Sequence, residues 1–259
     1  MRVSDIVRAI EEFAPASIQE SWDNTGLQLG SPGQEVSGVL LALDCTAELV
    51  EEAVRRGCNM IVTHHPLIFH PLSRIDPDNP VGAAVIAAIR SGVAVYSAHT
   101  SADKVPDGVS GAMAARLGLL NVRILCEEAP GVGLGAVGEL PEELSASEAV
   151  ALVKRVFGLS CLRTSAPMEG KIRTVAVCGG SGSSLIGNAL ASGAQLYLCG
   201  DISYHHFFVP EGFMLADVGH FESEVQIVEI LHSVIRKNFP NFVSLVSESI
   251  GEANPVNYL

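Results

Sequence analysis

A chain of 259 residues with 48% apolar and 17% charged residues has material for one large or two ordinary domains, which excludes a disordered polypeptide. Its formal net charge of −13 excludes a protein that coats nucleic acid or an anionic membrane through its own charge. Anionic small molecules stay open as substrates where bound cations neutralise them.

The first residues, MRVSDIVRAIEEF, carry charge from the start and read as an amphipathic helix, not a signal peptide. Residues 39–43 read as a buried strand, 47–56 as a helix ended by Gly57, and 60–63 as a second strand. Residues 81–90 read as a helix stopped by Gly92, and 93–97 as a third strand. Arg90 and Gly92 interrupt this most apolar stretch, so no membrane span is expected there. The β-α-β-α-β order predicts an α/β fold with a mostly parallel, buried sheet.

The order returns later. GVLLALDCTAELVEEAVRRGCNMIVTHH (38–65) aligns without a gap over TVAVCGGSGSSLIGNALASGAQLYLCGD (174–201), at an offset of 136. Val39 falls on Val175, Leu41 on Val177, Leu49 on Leu185, Ala53 on Ala189 and Gly57 on Gly193. An internal duplication is the reading, with two similar domains. The Gly- and Pro-containing stretch at 125–145 predicts the boundary, hence domains 1–125 and 126–259, with the C-terminal segment a candidate to pack back on the first. A formal GxGxxG at Gly133, Gly135 and Gly138 is read as a decoy, because no strand-to-helix turn follows it. Six cysteines without CxxC spacing predict buried, reduced thiols in a cytoplasmic protein.

Three segments carry chemistry. THHPLIFHPL (63–72) puts His64 and His65 at a strand end, where a bend before Pro66 turns both toward one site. SAHTSAD (97–103) follows the third strand and offers Asp103 as a ligand and His99 as a ligand or an orienting partner, although a turn cap would also explain Asp103. DVGHFESE (217–224) follows another apolar run, and His220 and Glu224 share a face if a helix has begun. In open α/β sheets such strand ends are where ligands bind. Five imidazole and carboxylate ligands exceed what one catalytic ion takes from protein and suit two ions with one bridging carboxylate. The absence of thiolate leaves Zn, Fe, Mn, Co and Ni open. His70 is expected to be structural.

With these segments together, the chain resembles the NIF-three-like family of dinuclear-metal proteins, labelled homologues of a type-two GTP cyclohydrolase I. The resemblance runs through ESWDNTGLQLG (20–30), LALDCT (41–46), THHPLIFHPL, SAHTSAD, CGGSG (178–182), GDISYHH (200–206) and DVGHFESE. It implies two interleaved three-layer α/β/α domains and a toroidal homohexamer built as a trimer of dimers. Carried over motif by motif, it implies that His65, Asp103 and Glu224 hold one divalent ion and His64, His220 and Glu224 the other, with Glu224 bridging. This chain departs from the family in reading HTSAD and, at 107–110, DGVS, and it lacks the domain that some relatives insert between the halves.

The expected function is a dinuclear-metal-dependent hydrolase of a nucleotide or related small molecule, by C–N or phosphoester hydrolysis. The alternative is a metal-handling or regulatory protein without turnover. His99, His205 and His206 are candidate proton shuttles. Trp22, Asp23 and Asn24 have no assigned mechanism.

Overall fold

The computed structural model describes residues 1–258. The chain opens with α1 (Val3–Phe13) and β1 (Gly26–Leu29). It continues through β2 (Val39–Ala42), α2 (Ala47–Arg55), β3 (Met60–Thr63), α3 (Pro80–Ser91), β4 (Ala94–Ser97) and the short α4 (Thr100–Asp103). Then follow α5 (Val109–Arg116), β5 (Leu120–Ala129), β6 (Val132–Ser145), α6 (Ala146–Phe157), β7 (Arg163–Thr164) and β8 (Lys171–Ser181). The next elements are α7 (Ile186–Ala191), β9 (Leu196–Gly200), β10 (Met214–Asp217), α8 (His220–Glu224), α9 (Ile227–Asn238) and β11 (Ser244–Val246). Two compact units emerge, Met1–Ala102 with Ile227–Pro255, and Asp103–Gln226 with residues 256–258.

The first unit is built on a sheet in the order β1-β4-β3-β2-β11, parallel except for the antiparallel β1–β4 edge. Leu40, Ala42, Ile61 and Val95 point to one face and pack against Leu49, Val50 and Ala53 of α2 and Ala84, Val85 and Ala88 of α3. On the other face α9 packs on β2 and α1 on α9, burying Ile6, Ile10, Leu231 and Ile235. The helix ends are written locally. The Thr46 hydroxyl accepts from Leu49 N–H to start α2. Asn79 accepts from Val81 and Gly82, Pro80 begins α3, and Gly92 ends it in the left-handed conformation.

The second unit has a mixed sheet in the order β5-β6-β8-β9-β10-β7, with a parallel β8-β9-β10 centre and antiparallel neighbours. Its central strands send alternate residues to opposite faces. Val175, Val177, Leu196, Leu198, Met214 and Ala216 face Met113 of α5 and Val153 and Phe157 of α6. Ala176, Cys178, Tyr197, Cys199 and Leu215 face Ala189 of α7.

The duplication is visible in register. Val39 pairs with Met60 in one sheet, and Val175 pairs with Leu196 in the other, so both partners shift by the offset read from the sequence. Gly57 and Gly193 occupy the same turn, with φ of 75° and 80°. The position of the boundary needs correction. Residues 125–145 form most of the β5–β6 hairpin instead of a linker, and the units divide after Ala102, with Ile227–Pro255 returning to the first. The glycines misled because they serve close approach within the hairpin. A Cβ on Gly133 would lie 2.1 Å from the Cys126 carbonyl oxygen. Gly133, Gly135 and Gly138 thus lie on a strand, away from any helix start. Among the described residues no helix is long and apolar enough to cross a membrane.

Candidate metal centre

In the first unit β3 ends at Thr63 and β4 at Ser97, side by side. Their hydroxyls lie 2.9 Å apart, and the His65 carbonyl accepts from both, at 2.8 Å from Thr63 and 3.2 Å from Ser97. The His65 N–H donates to the Leu43 carbonyl, which holds the bend through both histidines. His64 and His65 have ring centroids 5.0 Å apart, and each lies within 6 Å of His99, at 5.3 and 5.7 Å. One potential ligand atom from each of the three rings falls within 4.8 Å of the others.

The tautomers are set by the partners. His64 Nδ1–H donates to the Ala98 carbonyl at 2.9 Å, His65 Nδ1–H to Asp44 at 2.7 Å, and His99 Nδ1–H to Asp23 at 2.8 Å. A carbonyl or a carboxylate can only accept, so the proton sits on Nδ1 and the lone pair on Nε2. That is the arrangement in which an orienting partner presents an imidazole to a metal. His232, on α9, shows the contrast, because its Nε2 faces the Ser244 carbonyl at 3.0 Å.

The second unit builds its group at the ends of β8, β9 and β10. Gly219, at φ 86°, turns the chain from β10 into α8, and His220 and Glu224 fall on one face of that helix. His220 Nδ1–H donates to Asp201 at 2.7 Å, and its Nε2 lies 3.0 Å from a Glu224 carboxylate oxygen. Two lone pairs would meet there without a proton or a cation between them. A carboxylate oxygen of Asp103 also lies within 4.8 Å of one on Glu224, a like-charge pair that a cation relieves. Space for the buried Glu224 carboxylate comes from Gly180. With φ of 59°, a Cβ there would sit 2.1 Å from Glu224 Oε1. Gly180 N–H donates to Ser223 Oγ, which donates to the His220 carbonyl, so the loop and α8 are tied together. Asp217, in the same motif, is engaged by Arg163 at 2.8 Å.

These donors fit divalent cations of the borderline kind. The neighbouring thiols do not join them. Burial first, then adjacent charges, raises the Cys178 thiol far above its ordinary value and pushes Cys199 up to about 12, so neither is a ready thiolate.

Asp23 answers the question left by the ESWDNTG segment. Its fully buried carboxylate accepts from His99 Nδ1, Thr100 N–H and Thr100 Oγ1, and from Thr25 Oγ1 at 3.0 Å. Burial alone would raise this carboxyl, but the hydrogen bonds from His99 and Thr100 and the nearby imidazole outweigh it and hold it well below the usual carboxylate range. A depressed folded-state pKa contributes stability that is full above the unfolded value, near 3.9, and is lost as pH falls through the folded value. Asp23→Asn is therefore expected to lose about 2 kcal/mol at neutral pH and to flatten the decline of stability below pH ~4, measured by denaturant unfolding across that range.

The structure brings His64, His65 and His99 into one group, and in the second unit it sets Glu224 beside His220 and within 4.8 Å of Asp103. His205 and His206 lie instead on an exposed 3₁₀ turn (Tyr204–Phe207), against Tyr204 and Ser203, and enter no such group among the described residues. His70 is exposed and stacks on Phe69 at 4.6 Å. Sequence reasoning missed the three carboxylates that orient the rings, Asp44, Asp201 and Asp23. Asp44 and Asp201 stand at strand ends inside the quoted segments, which was the available signal.

The chain matches the family model Duf34/NIF3 (NGG1p interacting factor 3) over residues 1–255. It is 34% identical over 253 residues to the GTP cyclohydrolase 1 type 2 homolog of Clostridium perfringens, covering 95% of each chain. It is 35% identical over 258 residues to the protein of that name from Clostridium acetobutylicum, covering 96% of each. The crystal structure of a hypothetical protein from Staphylococcus aureus superposes with a TM-score of 0.91 at 27% identity, covering 100% of this chain and 99% of that one. With a family match of that extent, on strand ends bearing these histidines and carboxylates, the chain belongs to the Duf34/NIF3 family.

Proposed function

We propose that this protein is a dinuclear-metal-dependent hydrolase, with His64, His65, Asp103, His220 and Glu224 as ligands of two divalent ions. The observation that carries the proposal is the common tethering of His64, His65 and His220. Each ring gives its Nδ1 proton to a fixed acceptor and keeps its lone pair on Nε2. Bound ions of this kind lower the pKa of a water and polarise the bond it attacks. His99, fixed by Asp23 through Nδ1, keeps its lone pair on Nε2 and is assigned the proton shuttle; His205 and His206, which enter no such group among the described residues, are not.

The substrate class proposed is a nucleotide or related small molecule. The relatives' name supports C–N hydrolysis of the GTP cyclohydrolase kind, and phosphoester hydrolysis fits the same ligands. The six free cysteines support a reducing, cytoplasmic setting. The homohexamer implied by the family resemblance belongs to the same reading and is tested by sedimentation. Metal-loaded protein is expected to turn over at least one member of a nucleotide panel, to lose turnover with chelator, and to regain it with metal. An inert protein that releases its metal on dialysis would support metal handling instead.

The orienting carboxylates give a sharper test. Asp201→Ala removes the acceptor for His220 Nδ1. Metal affinity, measured by chelator competition, is expected to fall about 10–100-fold with the fold intact. Unchanged affinity would remove His220 from the ligand set.

A further inference from the structure

Trp22 is the chain's single tryptophan, and it is 59% exposed. An indole so placed leaves a large apolar surface in water, which globular proteins ordinarily avoid. The loop that carries it is nevertheless stitched down on every side. Asp23 binds His99 and Thr100, Asn24 Nδ2 donates to the Ile68 carbonyl at 2.6 Å, and Glu20 N–H donates to Thr100 Oγ1 at 2.9 Å. Thr25 receives its own bond from His99 N–H at 3.2 Å and donates to Gln19 Oε1 at 2.8 Å. Phe69, itself 37% exposed, stands edge-on to the indole at 5.9 Å, and His99 does so at 6.1 Å. Phe69 and His99 meet at 5.8 Å and 88°. The three rings thus hold one another upright, and the loop bonds leave the indole little freedom to fold down onto the surface.

The rings are also continuous with the candidate centre, because the third of them, His99, lies 5.3 Å from His64 and 5.7 Å from His65. Ring to ring, the path runs 6.1 Å from the indole to His99 and 5.3 Å onward to His64, so a group stacked on the indole adjoins the candidate ligands. A rigid, solvent-facing aromatic surface at that distance binds flat π-systems, and it does so without a large entropic penalty because it is already ordered.

We propose that Trp22, braced by Phe69 and His99, is the stacking platform for a planar heteroaromatic ring of the substrate, of the size of a purine or a pterin. The proposal rests on the hydrolase reading for its substrate but not for its geometry. It makes Trp22 a binding and specificity residue, since a flat ring would be retained and a bare sugar phosphate would not.

The single tryptophan reports on itself. Its emission, excited at the red edge of its absorption, is followed while GMP, AMP and ribose 5-phosphate are added to metal-loaded and metal-stripped protein. Saturable quenching is expected with both nucleotides, and none with ribose 5-phosphate. By calorimetry Trp22→Ala is expected to weaken GMP binding by about tenfold or more, and Trp22→Phe to keep most of it. Both variants should keep the wild-type unfolding temperature and metal content, because the side chain is exposed and is no ligand. Equal binding by Trp22→Ala and wild type would overturn the platform while leaving the metal reading intact. Emission that ignores every nucleotide but shifts with protein concentration would also overturn it, by making the surface a contact between copies. Quenching by nucleotides in a protein that binds no metal would keep the platform and sink the hydrolase.

Discussion

Glu224→Gln is expected to remove at least the ~100-fold of metal affinity that loss of an orienting partner can reach, and to abolish the proposed turnover with it. The reason lies in where the side chain sits. It is 4% exposed, its carboxylate lies 3.0 Å from His220 Nε2, and an Asp103 carboxylate oxygen is within 4.8 Å. Glutamine keeps the volume but not the charge, and it presents one oxygen where two would serve a bridge. Its amide N–H can donate to His220 Nε2, and the repulsion from Asp103 disappears. Metal-free Glu224→Gln should therefore be at least as stable as metal-free wild type. With metal the order reverses, because binding stabilises the folded state in proportion to RT ln(1 + [L]/Kd), about 2.7 kcal/mol at a hundredfold excess over Kd. Calorimetric unfolding with and without metal checks the crossing. A variant that is less stable in both states would assign Glu224 a packing role.

Gly180→Ala is expected to produce the second large effect, through a single carbon. That Cβ would lie 2.1 Å from Glu224 Oε1 and 3.3 Å from His220 Cε1. The carboxylate is the far end of a flexible side chain, so the fold can yield by moving it, and what suffers is ligation. The backbone strain of alanine at φ 59° adds about 1–2 kcal/mol. Gly193→Ala supplies the control. At φ 80° with nothing within 4 Å of its Cβ, it carries the strain without the collision. Both variants should lose similar stability in denaturant, while only Gly180→Ala loses metal affinity, by tenfold or more. Equal metal binding in the two would mean that Glu224 need not be where the structure puts it.

Much of this was legible in the sequence, for reasons that can be named. The duplication was, because a β-α-β unit repeats its caps: Gly57 and Gly193 must both adopt positive φ, and the register offset follows from them. The placing of His64, His65 and His220 just past strand ends was, because apolar runs such as Met60–Thr63 and Met214–Asp217 announce their own ends. The orienting carboxylates were not. Asp44 and His65 are 21 residues apart, Asp201 and His220 are 19 apart, and Asp23 and His99 are 76 apart, and only the sheets bring them together. The duplication also changed its chemistry at matching places. The position of Asp44 in the first unit corresponds to Gly180 in the second, and that of His65 to Asp201. Where the first unit keeps a carboxylate to hold a ring, the second removes a side chain to admit Glu224. The β5–β6 hairpin was misread because its glycines follow backbone approach, which strand periodicity does not record.

His64, His65, Asp103, His220 and Glu224 are proposed to hold two ions. Metal per chain, measured by elemental mass spectrometry on protein purified without chelator or metal-affinity resin, tests it most directly. About two divalent ions in the wild type, with both lost or weakened in Glu224→Gln, is the result expected. One ion or none in the wild type, unchanged in the variant, would contradict the account and leave the tethered histidines without the role assigned to them.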